Sequence, residues 1–215
     1  MTRELTHFIG GQHVAGASGR FSDVFDPSTG QVQARVPLAS TAEVAAAIAN
    51  AEEAQREWGD TNPQKRARVL LKFLELVAKD MDSLARTLSS EHGKAFEDSK
   101  GDIQRGVEVI EFATGAPHLL KGEYSTGAGA GIDVYSMRQP LGVVAGITPF
   151  NFPAMIPLWK MGPALAAGNS FILKPSEKSP LTAIRIAQLA LEAGIPKGVF
   201  NVLPGYGHTV GKALA

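Results

Sequence analysis

Three short segments carry side chains whose types and spacing could do chemistry. In Lys174-Pro-Ser-Glu177 an ammonium and a carboxylate stand three residues apart, able together to grip a ribose diol by complementary hydrogen bonds. An ion pair on the surface beside a proline turn is the plainer account of the same residues. In Pro149-Phe-Asn-Phe-Pro153 a single amide, Asn151, sits in an apolar turn bracketed by prolines. If its NH2 faces a ligand pocket it can stabilise a developing oxyanion; otherwise it is an Asx-type turn residue whose buried amide must find a partner. The segment Gly205-Tyr-Gly207-His-Thr-Val-Gly211 is placed like a phosphate loop, but Val210 stands where the third glycine of G-x-G-x-x-G would be. A strand-to-helix turn needing glycine backbone freedom explains it equally well.

These segments are worth taking together because of the elements that must carry them. Residues 143–148, 170–174 and 199–203 are β-prone, and 154–167 and 181–193 can be helical. Short buried strands alternating with helices imply right-handed crossovers and a parallel sheet, half of a doubly wound, Rossmann-like nucleotide-binding fold. In such sheets ligands bind beyond the carboxyl ends of the strands, which is where all three segments fall. Three parallel strands alone would leave two exposed edges, so the sheet is expected to be incomplete.

Upstream the pattern changes. Residues 8–14, 23–25 and 31–37 read as short strands, the last two flanking the turn Asp26-Pro-Ser-Thr-Gly30. Ser40 followed by Glu43 is a capping box for a helix over 41–58. Asn62-Pro63 restarts a helix along which Leu70, Phe73, Leu74, Val77, Met81 and Leu84 form one apolar stripe. A third helical pattern covers 96–119, and the glycine-rich stretch 122–131 reads as a loop. The chain thus divides into N-terminal strands (1–40), a helical segment (41–121), a loop and connecting strand (122–140) and the first part of a nucleotide-binding βαβ domain (141–215).

Composition narrows the function. The 215 residues hold 21 Lys plus Arg against 21 Asp plus Glu, with 44% apolar residues. That balance excludes bulk disorder and lacks the basic excess that draws nucleic acid or an acidic membrane. The five histidines have no ligand spacing, so no metal site is expected. The uncharged run 139–159 is long enough to span a bilayer, but Pro140, Pro149, Pro153 and Pro157 would break a lone helix there. No secretory signal opens the chain, and a cytoplasmic protein is expected.

The run from Gly142 through Pro149-Phe-Asn-Phe-Pro153 to Trp159, with Pro163-Ala-Leu-Ala-Ala-Gly-Asn169, Leu173-Lys-Pro-Ser-Glu177 and Pro180-Leu-Thr182, resembles the aldehyde dehydrogenase superfamily. Phe150 before the Asn, the Ala-Met-Ile-Pro-Leu-Trp continuation and the upstream Tyr135-Ser-Met-Arg-Gln-Pro-Leu-Gly142 are similar to its CoA-acylating methylmalonate-semialdehyde dehydrogenases. The resemblance covers essentially the whole chain. It implies that Asn151 supplies an oxyanion-hole amide and that Thr148, Pro149 and Phe150 contact NAD. Lys174, Ser176 and Glu177 would hold the adenosine ribose, with Lys178 and the turn from Gly207 to Gly211 near the adenine. Arg105, on a helix of the N-terminal half, is the candidate for anchoring a substrate carboxylate, because a guanidinium can clamp one in bidentate fashion. A solvated helix face, or an ion pair with Glu108 or Glu111, is the competing account.

The same resemblance implies a semialdehyde substrate, CoA as cosubstrate and a homotetramer. One departure is physical: these enzymes attack the aldehyde with a cysteine thiolate, and this chain has no cysteine. The expectation is therefore an N-terminal fragment without the catalytic domain, inactive by itself. A hydrolytic aldehyde dehydrogenase and a non-catalytic NAD-binding module are the alternatives.

Overall fold

The computed structural model describes residues 3–214. In chain order the elements are β1 (Arg3–Glu4), β2 (His7–Ile9), β3 (Gln12–Val14), β4 (Phe21–Asp26), β5 (Gln31–Pro37), α1 (Thr41–Asp60), α2 (Pro63–His92), α3 (Phe96–Ala113) and α4 (Ala116–Leu119). There follow β6 (Tyr124–Gly129), β7 (Ile132–Tyr135), β8 (Val143–Ile147), α5 (Met155–Ala166), β9 (Ser170–Lys174), α6 (Leu181–Ala193) and β10 (Phe200–Val202). A five-residue π turn (Gly207–Gly211) and the short α7 (Lys212–Leu214) complete the described residues.

Strands β8, β9 and β10 are parallel neighbours joined by α5 and α6, the βαβ arrangement the alternation predicts. The sheet does not stop at three strands. The β2–β3 hairpin, turning through Gly10 and Gly11 at positive φ, pairs antiparallel with β10 and gives the order β3-β2-β10-β9-β8. The expected bare edge beside β10 is therefore covered by the chain's own N-terminal residues. Pairing between strands so far apart in sequence leaves no trace in local periodicity. Asn201 secures the junction: its side chain accepts from the Gly10 N–H at 2.9 Å and donates to the Gly198 carbonyl at 2.9 Å.

All five residues of β9 are buried, because the sheet is covered on both faces. Phe171 and Leu173 point into the larger core with α2, α3, α5 and α6, whereas Ile172 points the other way, to Val44, Ala47 and Ala51 of α1. Helix α1 thus serves as the cover for the second face. Its N-terminus is the capping box the sequence predicts, with Ser40 and Glu43 bonded reciprocally. Helix α2 begins at Asn62, whose side chain accepts from the Gln64 N–H, and Pro63 takes its first position.

Two expectations are corrected. The third helix is not continuous over 96–119: it ends at Ala113 and restarts as α4 at Ala116, with Pro117 in its first turn, where a missing N–H costs no intrahelical bond. The stretch read as a loop contains the β6–β7 hairpin, with Tyr124 paired to Tyr135 and Ser125 to Val134. Asp133 pins it, accepting from the Tyr124 hydroxyl at 2.6 Å and the Gly127 N–H at 2.9 Å. Every residue of both strands is exposed, so no inside-outside alternation was there to be read.

Helices α3 and α5 approach unusually closely. A Cβ on Gly106 would lie 2.5 Å from Leu158 Cδ1, and one on Gly162 would lie 2.7 Å from Ile110 Cδ1. Each helix offers a glycine to the other's large side chain. Gly106→Val should therefore destabilise the fold by about 1–3 kcal/mol through overpacking. Urea unfolding measures this, and a variant as stable as the parent would show that the helices can separate at no cost.

Candidate functional site

The strand ends assemble the three segments singled out above. Thr148 follows β8 directly, with its N–H donating to the Lys174 carbonyl at 3.1 Å, which ties the first segment to the second. Lys174 is buried rather than on the surface, at 3% exposure. Its ammonium donates to the Gly205 carbonyl at 2.9 Å and stands 3.5 Å from Glu177 Oε2. Burial lowers the Lys174 pKa, against the opposing pull of Glu177. A surface ion pair does not describe these residues. The buried ammonium joins the second segment to the third, while Glu177 is only half-buried and keeps its carboxylate within reach of solvent.

The Pro175–Pro180 connection is a turn shaped by Ser176, whose Oγ accepts from the Lys178 N–H at 3.2 Å. Lys178 itself is exposed, with its Nζ 4.9 Å from the centre of the Phe150 ring. Phe150 and Pro149 are exposed at the end of β8, and so is Asn151. The Asx-turn account of Asn151 fails: among the described residues its side-chain amide makes no hydrogen bond to the protein. Nor is the amide buried. It projects into solvent at the sheet's carboxyl end.

The third segment departs from a phosphate loop for a visible reason. Val210 is fully buried in the α1 side of the core, and its Cγ2 lies 2.3 Å from where a Cβ of Gly205 would stand. The close approach that a third glycine serves elsewhere is made here by Gly205 against Val210. Gly207 is open to solvent and Gly211 half-buried, at the two ends of the π turn. Tyr206 and His208 stack with ring centres 5.3 Å apart.

Beside the strand ends lies a cavity of about 420 Å³ lined by Phe150, Glu177, Lys178 and Tyr206 on one side and by Glu91 and His92 of α2 on the other. Neither of the last two was expected in the site. A glutamate and a histidine at a helix C-terminus, just before Gly93, carry no pattern that marks a site. Glu91 is buried, and its carboxylate accepts from the Leu181 N–H at 2.7 Å, the Thr182 N–H at 2.9 Å and the Thr182 hydroxyl. It caps α6 from another helix. Burial pushes its pKa up to about 7 in spite of these donors. Burial and the neighbouring Lys94 lower the His92 pKa.

Arg105 lies away from this cavity, exposed on α3, with its carbonyl accepting from Trp159 Nε1 at 3.0 Å. Among the described residues it pairs with neither Glu108 nor Glu111, so its guanidinium is solvated. Among the described residues no three His, Asp or Glu side chains are grouped to hold a metal ion, and no helix is long and apolar enough to cross a membrane.

Comparison with known proteins adds the family. Residues 13–215 match the family model described as Aldehyde dehydrogenase family. A malonate-semialdehyde dehydrogenase of Pseudomonas aeruginosa is 51% identical over 94% of this chain, which covers 40% of that protein. Malonate-semialdehyde dehydrogenase 3 of Geobacillus kaustophilus is 48% identical over 99% of the chain and 44% of its own length. A crystal structure from Sinorhizobium meliloti 1021, provisionally assigned as a methylmalonate-semialdehyde dehydrogenase and complexed with NAD, superposes with a TM-score of 0.97 at 56% identity, over 99% of this chain and 43% of that one. The chain spans less than half the length of these relatives. With its strand-end segments, its mixed α/β fold and nearly its whole length matched, the chain belongs to the aldehyde dehydrogenase family.

Proposed function

We propose that this chain supplies the NAD-binding surface and the oxyanion-stabilising amide of a dehydrogenase that converts malonate or methylmalonate semialdehyde, with NAD and CoA, to an acyl-CoA, CO2 and NADH. The observation that carries the reading is the exposed, unpaired amide of Asn151 at the end of β8, beside the Lys174–Glu177 pair at the end of β9. The 420 Å³ cavity that Glu177 lines, with Phe25, Pro27 and a buried Ser179 hydroxyl that has no partner among the described residues, suits a ligand with both apolar and polar parts.

Lys174 and Glu177 would hold the adenosine ribose, with Ser176 shaping their turn. Thr148, Pro149 and Phe150 would line the path toward the nicotinamide, and Lys178 and the Gly207–Gly211 turn the adenine end. When bound, NAD supplies the hydride acceptor. The part played by this chain's own residues is electrostatic: the Asn151 NH2 is a neutral donor aimed at the oxygen that gains charge when the aldehyde is attacked. Arg105 would pair with the carboxylate of the semialdehyde. The nucleophilic thiol that the family resemblance implies is not among these residues, since the chain has no cysteine. A homotetramer in the cytoplasm, with activity in the complete enzyme and none in these residues alone, belongs to the same proposal.

Titration calorimetry with NAD tests the binding half. Lys174→Met and Glu177→Ala should each weaken NAD binding by roughly tenfold, the loss of one charge-assisted hydrogen bond. Glu177→Ala should also relax discrimination against NADP, because a carboxylate repels the 2′-phosphate. Unchanged affinities in both variants would remove the strand ends from the cofactor site. The acyl-acceptor half is read from NADH formation by the complete gene product with malonate semialdehyde. Rapid turnover without CoA would replace the acylating reading by a hydrolytic one.

A further inference from the structure

The turn that carries Asn151 is gripped by two residues from elsewhere in the fold. Lys94 follows the C-terminus of α2, and its Nζ donates to Asp102 Oδ2 at 2.8 Å and to the Asn151 carbonyl at 3.4 Å. The same ammonium lies 4.6 Å from the centre of the Phe152 ring. Asp102, on α3, uses its other oxygen to accept from the Met155 N–H at 2.7 Å, the first residue of α5. One ion pair is thus bonded to both ends of the segment from Asn151 to Met155. The exposed Asp98 carboxylate stands 4.0 Å from Lys94, at the margin of the pair.

Both side chains are withdrawn from water, Lys94 to 7% and Asp102 to 1% exposure. A buried ion pair returns little net stability compared with an apolar pair of the same volume, so packing alone does not account for it. An apolar pair could not, however, hold a carbonyl at one end of the turn and an N–H at the other. Within the turn nothing fixes the Asn151 side chain, which makes no hydrogen bond to the protein among the described residues. An oxyanion donor must nevertheless be held to within about half an ångström of the position from which it bonds the oxyanion. The backbone from which it projects has to supply that precision.

We infer that Lys94 and Asp102 are positioning residues for the Asn151 amide, holding the 151–155 backbone so that the NH2 is presented to the developing oxyanion. The inference rests on the oxyanion role proposed for Asn151 above. Neither residue touches substrate; both act through the turn.

A double-mutant cycle in the complete gene product tests it, with kcat and the KM for NAD measured for Lys94→Met, Asn151→Ala and the pair. Each single change is expected to lower kcat by roughly 10²-fold while leaving the KM for NAD within about threefold. The double variant should be no slower than Asn151→Ala alone, because a misplaced amide and a missing one are equivalent. Lys94→Arg, which can keep both hydrogen bonds, should recover most of the rate. In the same protein, hydrogen exchange of the Met155 amide should accelerate more than tenfold in Lys94→Met, with the Leu181 and Thr182 amides unchanged. That pattern separates a local release of the turn from general unfolding.

The positioning role is overturned if Lys94→Met leaves kcat within threefold of the parent, if the two single effects multiply in the double variant, or if all three amides exchange faster together. A kcat untouched by Asn151→Ala, or no turnover in the complete gene product, would overturn the oxyanion reading and the positioning role with it. The Met155 amide would still report separately whether Lys94 clamps the turn.

Discussion

Arg66→Ala is expected to cost about 3 kcal/mol or more of unfolding free energy, among the largest effects of any single change outside the apolar core. Arg66 is buried on α2 and donates to four carbonyls: Ala166 at 3.0 Å, Gly59 at 3.2 Å, Trp58 at 3.4 Å, and Thr61. Three of these belong to the C-terminal end of α1 and one to the C-terminal end of α5. Helix C-termini leave carbonyls without intrahelical partners and concentrate negative partial charge, so one guanidinium neutralises two such ends at once. Burial lowers the Arg66 pKa, yet a guanidinium stays charged at any ordinary pH. Trp58 adds a parallel tie, its Nε1 donating to the Leu165 carbonyl at 3.0 Å. Alanine would strip a donor from the buried Ala166 and Trp58 carbonyls and from the part-buried Gly59 and Thr61 carbonyls, and lysine, a point charge without the planar fork, should recover only part of the loss. Urea denaturation of the three proteins measures both. An alanine variant within 1 kcal/mol of the parent would mean that water replaces the guanidinium at these carbonyls.

The second large effect is at Glu91, and it depends on pH. Glu91→Ala removes the acceptor for two N–H groups and a hydroxyl at the start of α6, and should cost on the order of 3 kcal/mol. Glu91→Gln keeps an acceptor oxygen and should cost less. The carboxyl has a folded-state pKa of about 7 against an ordinary 4.5, so between these values the folded protein binds more protons than the unfolded chain. Stability from this group is complete below pH 4.5 and is lost as pH rises through 7. The parent should therefore lose on the order of 2 kcal/mol relative to Glu91→Gln between pH 5 and pH 7.5.

A second buried group works in the opposite sense. His7 is fully buried with its Nε2 3.3 Å from Glu43 Oε1, and burial lowers its pKa in spite of that carboxylate. Its contribution is lost as pH falls below the ordinary histidine value of about 6.5, where the unfolded chain takes up the proton. Comparing the parent with Glu91→Gln at each pH cancels the His7 contribution. Identical pH profiles for the two proteins would show that Glu91 keeps an ordinary pKa.

Such pairs of buried groups were not legible in the sequence, and the reason is common to all of them. Glu91 reads as one more acidic residue near a helix end, and its meaning comes from Leu181 and Thr182, ninety residues away. Lys94 and Asp102 look like an ordinary charged pattern across a helix start until the Asn151 carbonyl and Met155 N–H arrive between them. The β2–β3 hairpin shows its own turn at Gly10-Gly11 but not the strand it will pair with. Periodicity and propensity are local quantities, and burial of a charge is decided by what the chain brings over it.

What the sequence determined by itself lies within the reach of local rules. The Ser40–Glu43 capping box, the proline start of α2, the extents of β5, β9 and α6 and the parallel connection of β8, β9 and β10 follow from spacing and side-chain shape. So does the placement of Asn151, Lys174 and Glu177 at strand ends, because a parallel sheet aligns the carboxyl ends of its strands on one side. Tertiary structure alone decided that Lys174 is buried and Asn151 exposed, that a cavity opens between the strand ends and α2, and that α1 covers the sheet's second face. These are matters of long-range packing, where hydrophobic burial brings distant segments together and each polar group is left to find whatever partner that packing supplies.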